Sequence, residues 1–261
     1  MSFWELLSGL LAGMVQGVAE WLPISSKTLL IIIFLSLGLT PGQAYMLGLF
    51  LNGATSLAAI IYFRHEIHGI LHAKDEMSRG VLYFILASIP MTGLVAIPLS
   101  MLTLRFVGSG REMMILVGVL LIITGLMTWR SKNLMTGVEK LPSIRDGVIV
   151  GAAQGFSSLP GISRSGITLL VLITLGYKPR QALMLSFLMG IPATLGGSFY
   201  SLIASLPTSP LNINIIFTGV IAAILVSIPT IHTLISISTR IHTHLFVWSL
   251  AAITLISAIL I

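Results

Sequence analysis

Three charged residues stand inside apolar sequence: Glu20, Lys27 and Arg164. An ionisable group at membrane depth is costly unless paired or solvated, which makes it a functional candidate by default. All three lie at or beside two proline-containing breaks, WLPIS (21–25) and SSLPGIS (157–163). Polar side chains crowd the same places. Gln16, Ser25, Ser26 and Thr28 surround the first break; Gln154, Ser157, Ser158, Ser163, Ser165 and Thr168 surround the second. Arg164 opens a helical run in PGISRSGIT (160–168). Free N–H groups and positive potential at a helix start favour an anion. A guanidinium adds a bidentate fork suited to phosphate. PISSKT (23–28) has the same design, with hydroxyls and Lys27 at a helix start. Two such tips facing each other would cage a phosphate or diphosphate.

Individual residues keep several readings. Glu20 could share a divalent cation with phosphate oxygens, serve as a general base, or neutralise Arg164 as a clamp. Ser25 or Ser26 could be a nucleophile if a base lies within reach. Lys27 could bind phosphate as a point charge, lose its proton and assist Ser26, or snorkel to an interface. Lone serines such as Ser157 and Ser158 commonly serve helix–helix contacts in membranes. The six histidines (His65, His68, His72, His232, His242, His244) fall in polar connectors and read as solvated or interfacial, remote from both tips.

The elements holding these groups must be membrane helices. Of 261 residues, 56% are hydrophobic and 8% charged, with mean hydropathy +1.03. A soluble domain carries roughly 25% charged residues. This excludes a soluble enzyme and a disordered chain. The pI near 10.0 does not signal nucleic acid, because the 14 Lys and Arg are scattered singly. Cysteine is absent, which excludes disulfides and thiolate sites. The N-terminus lacks the basic region of a cleavable signal. The apolar runs show no inside/outside alternation, so a barrel is not expected. They fall at 3–19, 22–38, 43–63, 80–104, 112–130, 145–157, 161–176, 181–206, 211–231 and 245–261. The four beside the breaks are too short or interrupted to span. They read as two re-entrant hairpins, broken at Pro23 and Pro160.

A shift of 138 residues superposes the chain on itself. It aligns GMVQG (13–17) with GAAQG (151–155) and LGLTPGQAYML (37–47) with LGYKPRQALML (175–185). Positions 9–47 share 13 identities with their counterparts, without a gap. The same shift puts Ser26 on Arg164. Each copy holds one hairpin and three spans, and an odd span count inverts the second copy. The expectation is an all-α polytopic membrane protein with an inverted-topology repeat, each half one re-entrant helical hairpin plus three transmembrane helices. It forms a single membrane domain over 1–261, with repeats at about 1–130 and 139–261. One side then carries Arg64, Lys74, Arg79, Arg130, Lys132, Lys140, Arg145, Lys178, Arg180 and Arg240, the other only Arg105 and Arg111. The richer side should be cytoplasmic and both termini extracytoplasmic.

QGVAEWLPISS (16–26) and PGISRSGIT (160–168) resemble the two motifs of the undecaprenyl-diphosphate phosphatases of the bacitracin-resistance type. LSFLMGIPATLG (185–196) looks like that family's segment after the second hairpin, and the likeness runs along the whole chain. The resemblance implies a plasma-membrane enzyme that removes one phosphate from a polyprenyl diphosphate, recycling a lipid carrier of envelope assembly. Carried over, Glu20 is the catalytic and metal-associated carboxylate, with Gln16 as its partner. Ser26 is the hydroxyl of the first tip. Arg164 holds the phosphates, with Ser163, Ser165 and Thr168 beside it. The implied cofactor is a divalent cation, Mg²⁺ or Ca²⁺. The implied partners are the lipid substrate and the bilayer, with room for a homodimer. Two departures stand out. The family's Thr-Gly-His after the serine pair is Lys27-Thr28-Leu29 here, so its proposed catalytic histidine is missing. Its acidic residue before Ser-Phe-Leu is also missing, with Met184 near that place. The alternative to hydrolysis is a lipid-phosphate translocase using the same cage.

Overall fold

The computed structural model describes residues 3–106, 110–132, 137–205, 213–236, 248 and 252. The described chain is helical, with one isolated bridge between Val138 and Tyr177. The helices are α1 (Phe3–Ala19), α2 (Ser26–Ser36), α3 (Pro41–Tyr62), α4 (Arg64–Leu71), α5 (Glu76–Phe106) and α6 (Gly110–Lys132). There follow α7 (Ile144–Gly155), a 3-10 turn (Phe156–Ser158), α8 (Arg164–Thr174), α9 (Pro179–Ser205) and α10 (Ile213–Ser236).

Local chemistry sets the helix ends near the two breaks. After α2 the chain turns through Gly38, and after α8 through Gly176, with φ of 84° and 92°. Left-handed backbone costs glycine nothing. Thr40 then caps α3 in a reciprocal box with Gln43, and Pro41 occupies the first helical position. The Ser163 hydroxyl accepts from Gly166 N at 3.2 Å and so caps α8. Inside α5, α9 and α10 the prolines 90, 98, 192 and 229 are accommodated, as membrane helices allow when neighbours satisfy the freed carbonyls.

Four described helices are long and apolar enough to cross a bilayer: Pro41–Tyr62, Glu76–Thr103, Pro179–Ala204 and Asn214–Ser236. Helix α6 runs for 23 residues with an apolar stretch at Ile115–Met127. The run expected at 245–261 lies outside the described residues except for positions 248 and 252. One part of the core joins Trp21, Phe63, Phe84, Tyr177 and Phe187; another joins Leu30, Phe34, Tyr45, Leu51 and Leu121.

Two sequence expectations need correction. The polar connector at 64–80 contains α4, because Ile67 and Ile70 pack on the first core cluster and stabilise one amphipathic turn after another. His65 and His68 therefore sit on a helix and His72 at its end. His232 lies within α10, its Nδ1 3.2 Å from the Tyr62 hydroxyl. His242 and His244 are outside the described residues.

Candidate functional site

The first break presents Glu20 at the end of α1 and Ser25, Ser26 and Lys27 at the start of α2. Ser25 is held at φ 61°, ψ 78°. A non-glycine residue in this region stores strain, and such strain clusters at functional sites. The second break presents Ser157 and Ser158 on the 3-10 turn and Ser163 and Arg164 at the start of α8. At its apex Gly161 adopts φ 102°, where a Cβ would lie 2.6 Å from Leu120 Cβ.

The two breaks touch. Lys27 Nζ donates to the Ser157 carbonyl. Ser165 Oγ donates to the Leu22 carbonyl at 2.9 Å. Arg164 Nη2 pairs with Glu20 Oε1 at 2.9 Å, and its Nη1 donates to the Ser186 carbonyl at 3.0 Å. Its guanidinium carbon stands 5.7 Å from the Trp21 ring centroid. The other Glu20 oxygen accepts from Ser26 Oγ at 2.6 Å and from Gln16 Nε2 at 3.1 Å. Glu20, Lys27 and Arg164 are all buried. Removing one partner of a buried pair typically costs about 3–5 kcal/mol, because the other charge is stranded.

A cavity of about 420 Å³ opens between these breaks. Glu20, Ser25, Ser26, Lys27, Gln154, Ser157, Ser158, Ser163 and Arg164 line its polar end. Ile89 and Ile97 of α5 and Phe199 and Ile203 of α9 line its apolar end. Those four side chains are exposed rather than packed in the core, so α5 and α9 give the cavity an accessible apolar wall.

Not every expected residue reaches the cavity. Thr28, Ser165 and Thr168, expected beside the phosphate cage, do not line the cavity and are hydrogen-bonded within the protein. Thr28 Oγ1 meets Ser25 Oγ at 3.0 Å. Thr168 donates to the Arg164 carbonyl at 2.8 Å and meets Ser186 Oγ at 2.6 Å. Thr168 satisfies itself on the preceding turn, as hydroxyls in apolar helices do, whereas Ser165 bonds across to the first break. Gln16 stands behind Glu20, with its amide 2.7 Å from that of Asn52. Gln154 reaches the cavity wall and donates to Thr92 Oγ1 at 3.0 Å.

Four contributors escaped the sequence reading. Asn52 lines the cavity beside Glu20 and was legible as a lone amide in an apolar run. Tyr45 OH donates to the Ser158 carbonyl at 2.9 Å. Ser186 and Gly190 lie in the 185–196 segment. A Cβ on Gly190 would overlap Nη1 and Cζ of Arg164.

The donor set does not fit a resident divalent cation. Among the described residues no group of three or more His, Cys, Asp or Glu could hold a metal. Glu20 is the one carboxylate lining the cavity, and both its oxygens are already engaged. Such a cation takes six or more oxygens, so here it would depend on substrate phosphates and water rather than on a protein ligand set.

Fold and site together define a multi-pass helical membrane protein with a cavity that has buried charges on one part of its wall and apolar side chains on another. The family model described as "Bacitracin resistance protein BacA" matches residues 9–256, and the chain belongs to that family. A Saccharolobus solfataricus protein named undecaprenyl-diphosphatase is 38% identical across 98% of this chain and 96% of its own. A Saccharolobus islandicus protein of the same name is 46% identical across 73% of this chain and 71% of its own. One from Methanothrix thermoacetophila, again so named, is 40% identical across 78% of each.

Proposed function

We propose that this chain is a polyprenyl-diphosphate phosphatase, releasing phosphate from a lipid-carrier diphosphate such as undecaprenyl diphosphate. The observation that carries the reading is one cavity lined both by cations and hydroxyls and by exposed apolar side chains of α5 and α9. A diphosphate fits the first and a prenyl chain the second. The relatives' shared hydrolase name favours hydrolysis over translocation.

In this reading Arg164 stabilises charge on the transferred phosphoryl group, together with the helix starts of α2 and α8. Its Nε is buried without a partner, a donor that a phosphate oxygen would satisfy. Ser158 Oγ is in the same condition. Ser26 and Glu20 form a nucleophile–base pair at 2.6 Å. Ser26 Oγ attacks the terminal phosphorus while its proton passes to Glu20. The bond to the bridging oxygen breaks and prenyl monophosphate leaves. Water then cleaves the phosphoserine, freeing phosphate and returning the proton. Ser25 and Ser163 donate to phosphate oxygens. Thr28, Ser165 and Thr168 hold the helix starts in place.

The architecture we infer is the inverted repeat, with hairpins α1–α2 and α7–α8 re-entrant and both termini outside the plasma membrane. Recurrence at 138 residues supports it: α2 and α8 begin at 26 and 164, α3 and α9 at 41 and 179. The test of function is phosphate release from C55 diphosphate by pure protein in detergent. Wild type should release phosphate and Arg164→Ala should fall by at least about a hundredfold, the cost of losing a buried charged donor. Substrate binding without release by wild type would overturn the hydrolytic reading.

A further inference from the structure

The two cations of the cavity are not equivalent. Arg164 is neutralised by Glu20 at 2.9 Å. Lys27 is not: the ion pairs among the described residues are Lys140–Asp146, Arg164–Glu20 and Lys178–Glu139. The Lys27 side chain is buried, and its ammonium meets the Ser157 carbonyl. An ammonium has three donors, so two remain.

Three effects act against a cation there. Burial removes its hydration, no carboxylate pairs with it, and it stands in the first turn of α2, where the helix dipole is positive. A neutral residue would avoid all three. An anionic ligand in the cavity offsets all three, pairing with the ammonium and interacting favourably with the helix start. A divalent ion has no comparable place, since Glu20 is fully engaged and two cations already line the wall.

We propose that Lys27 Nζ is the built-in counter-cation for the terminal phosphate, so that diphosphate binds and is cleaved without a resident divalent ion. This rests on the phosphatase reading of the cavity. The ammonium keeps its proton throughout: it forms no bond to phosphorus, and water alone supplies the oxygen and protons that the products gain.

The experiment uses the full chain in detergent, stripped with chelator. Its probes are farnesyl diphosphate for phosphate release and a prenyl methylenediphosphonate, uncleavable between its phosphorus atoms, for equilibrium binding. Wild type should change by less than about threefold in either measurement between EDTA and millimolar Mg²⁺ or Ca²⁺. Under EDTA, Lys27→Met should bind at least about tenfold more weakly, and added Mg²⁺ or Ca²⁺ should restore much of the loss. Lys27→Arg, which returns the charge, should bind at least about tenfold tighter than Lys27→Met under EDTA. Wild type that loses binding in EDTA and regains it with metal overturns the proposal. So does Lys27→Met with unchanged affinity. The wild-type arm decides even where a variant fails to fold. Wild type that binds the phosphonate but never releases phosphate sinks the phosphatase reading instead, and the binding arms still judge Lys27.

Discussion

Arg164 depends on a residue that has no side chain. Its guanidinium lies against Gly190 of α9, where a methyl group would overlap Nη1 and Cζ. The obstructed atoms are the far end of a flexible side chain, so Gly190→Ala would move the guanidinium rather than the helices. Alanine in a helix interior is favoured over glycine by about 1 kcal/mol. In Gly190→Ala that gain is offset by strain on the buried Arg164–Glu20 pair, so stability should not rise, and phosphate release should fall by about tenfold or more, as misplaced transition-state donors cause. Thermal unfolding and turnover measured on one preparation check it, and full turnover would remove Gly190 from this positioning role. The charges at 20, 27 and 164 were legible in the sequence because charge inside an apolar run is rare. Gly190 was not, since its function is the space that a distant residue fills. The positions of Thr28 and Thr168 were not legible either: near a cluster of hydroxyls, sequence cannot tell those that line the cavity from those bonded to neighbouring residues.

Helix packing rests on a pattern that appears twice. Gly9, Gly13 and Gly17 of α1 face α10, where added methyl groups would collide with the backbone of Ile215, Gly219 and Ala223. Gly147, Gly151 and Gly155 of α7 face α5, against Phe84, Ser88 and Val95. The two sets are 138 residues apart, and each recurs every fourth residue on one helix face. Such stripes let membrane helices approach closely, because packing rather than hydrophobicity drives their association. The repeat exposed these glycines in the sequence, but not their partners, which are main-chain and side-chain atoms of helices distant in the chain. Connector 64–80 hid α4 for a related reason: its few apolar residues acquire meaning only against the core. Gly151→Leu should force α7 from α5 and lower stability by about 1–3 kcal/mol, the usual cost of overpacking. Gly42→Ala, at a position with open space around it, should change stability by less than about 1 kcal/mol. Melting temperature and monodisperse yield in detergent separate the two; equal values would mean that the α5–α7 contact is not tight.

At the scale of the whole molecule, the outward faces carry large apolar side chains, among them Leu86 and Leu94 of α5, Phe199 of α9 and Leu225 of α10. Helix α3 is mostly enclosed, and α5 and α10 mostly face outward. The proposed topology rests on two separate arguments. Charge asymmetry assigns a side by counting Lys and Arg. The repeat assigns none, but it requires equivalent positions in the two copies to lie on opposite sides. Thr40 and Lys178 are such a pair, 138 residues apart and both exposed, at the starts of α3 and α9. The chain contains no cysteine, so Thr40→Cys and Lys178→Cys each introduce a single reactive thiol. A membrane-impermeant maleimide on intact cells should label Thr40→Cys directly and Lys178→Cys only after permeabilisation. Labelling of both from one side would refute inversion, whatever the charge count says. Opposite sides in the reverse sense would keep the inversion and overturn the orientation, placing the charge-rich connectors outside. The outcome bears on the cavity as well. The proposed hairpin tips meet through the Lys27–Ser157 and Ser165–Leu22 contacts. If each hairpin enters from its own side, a site built from both lies away from either aqueous face, and the apolar wall contributed by α5 and α9 becomes the expected path for a lipid substrate.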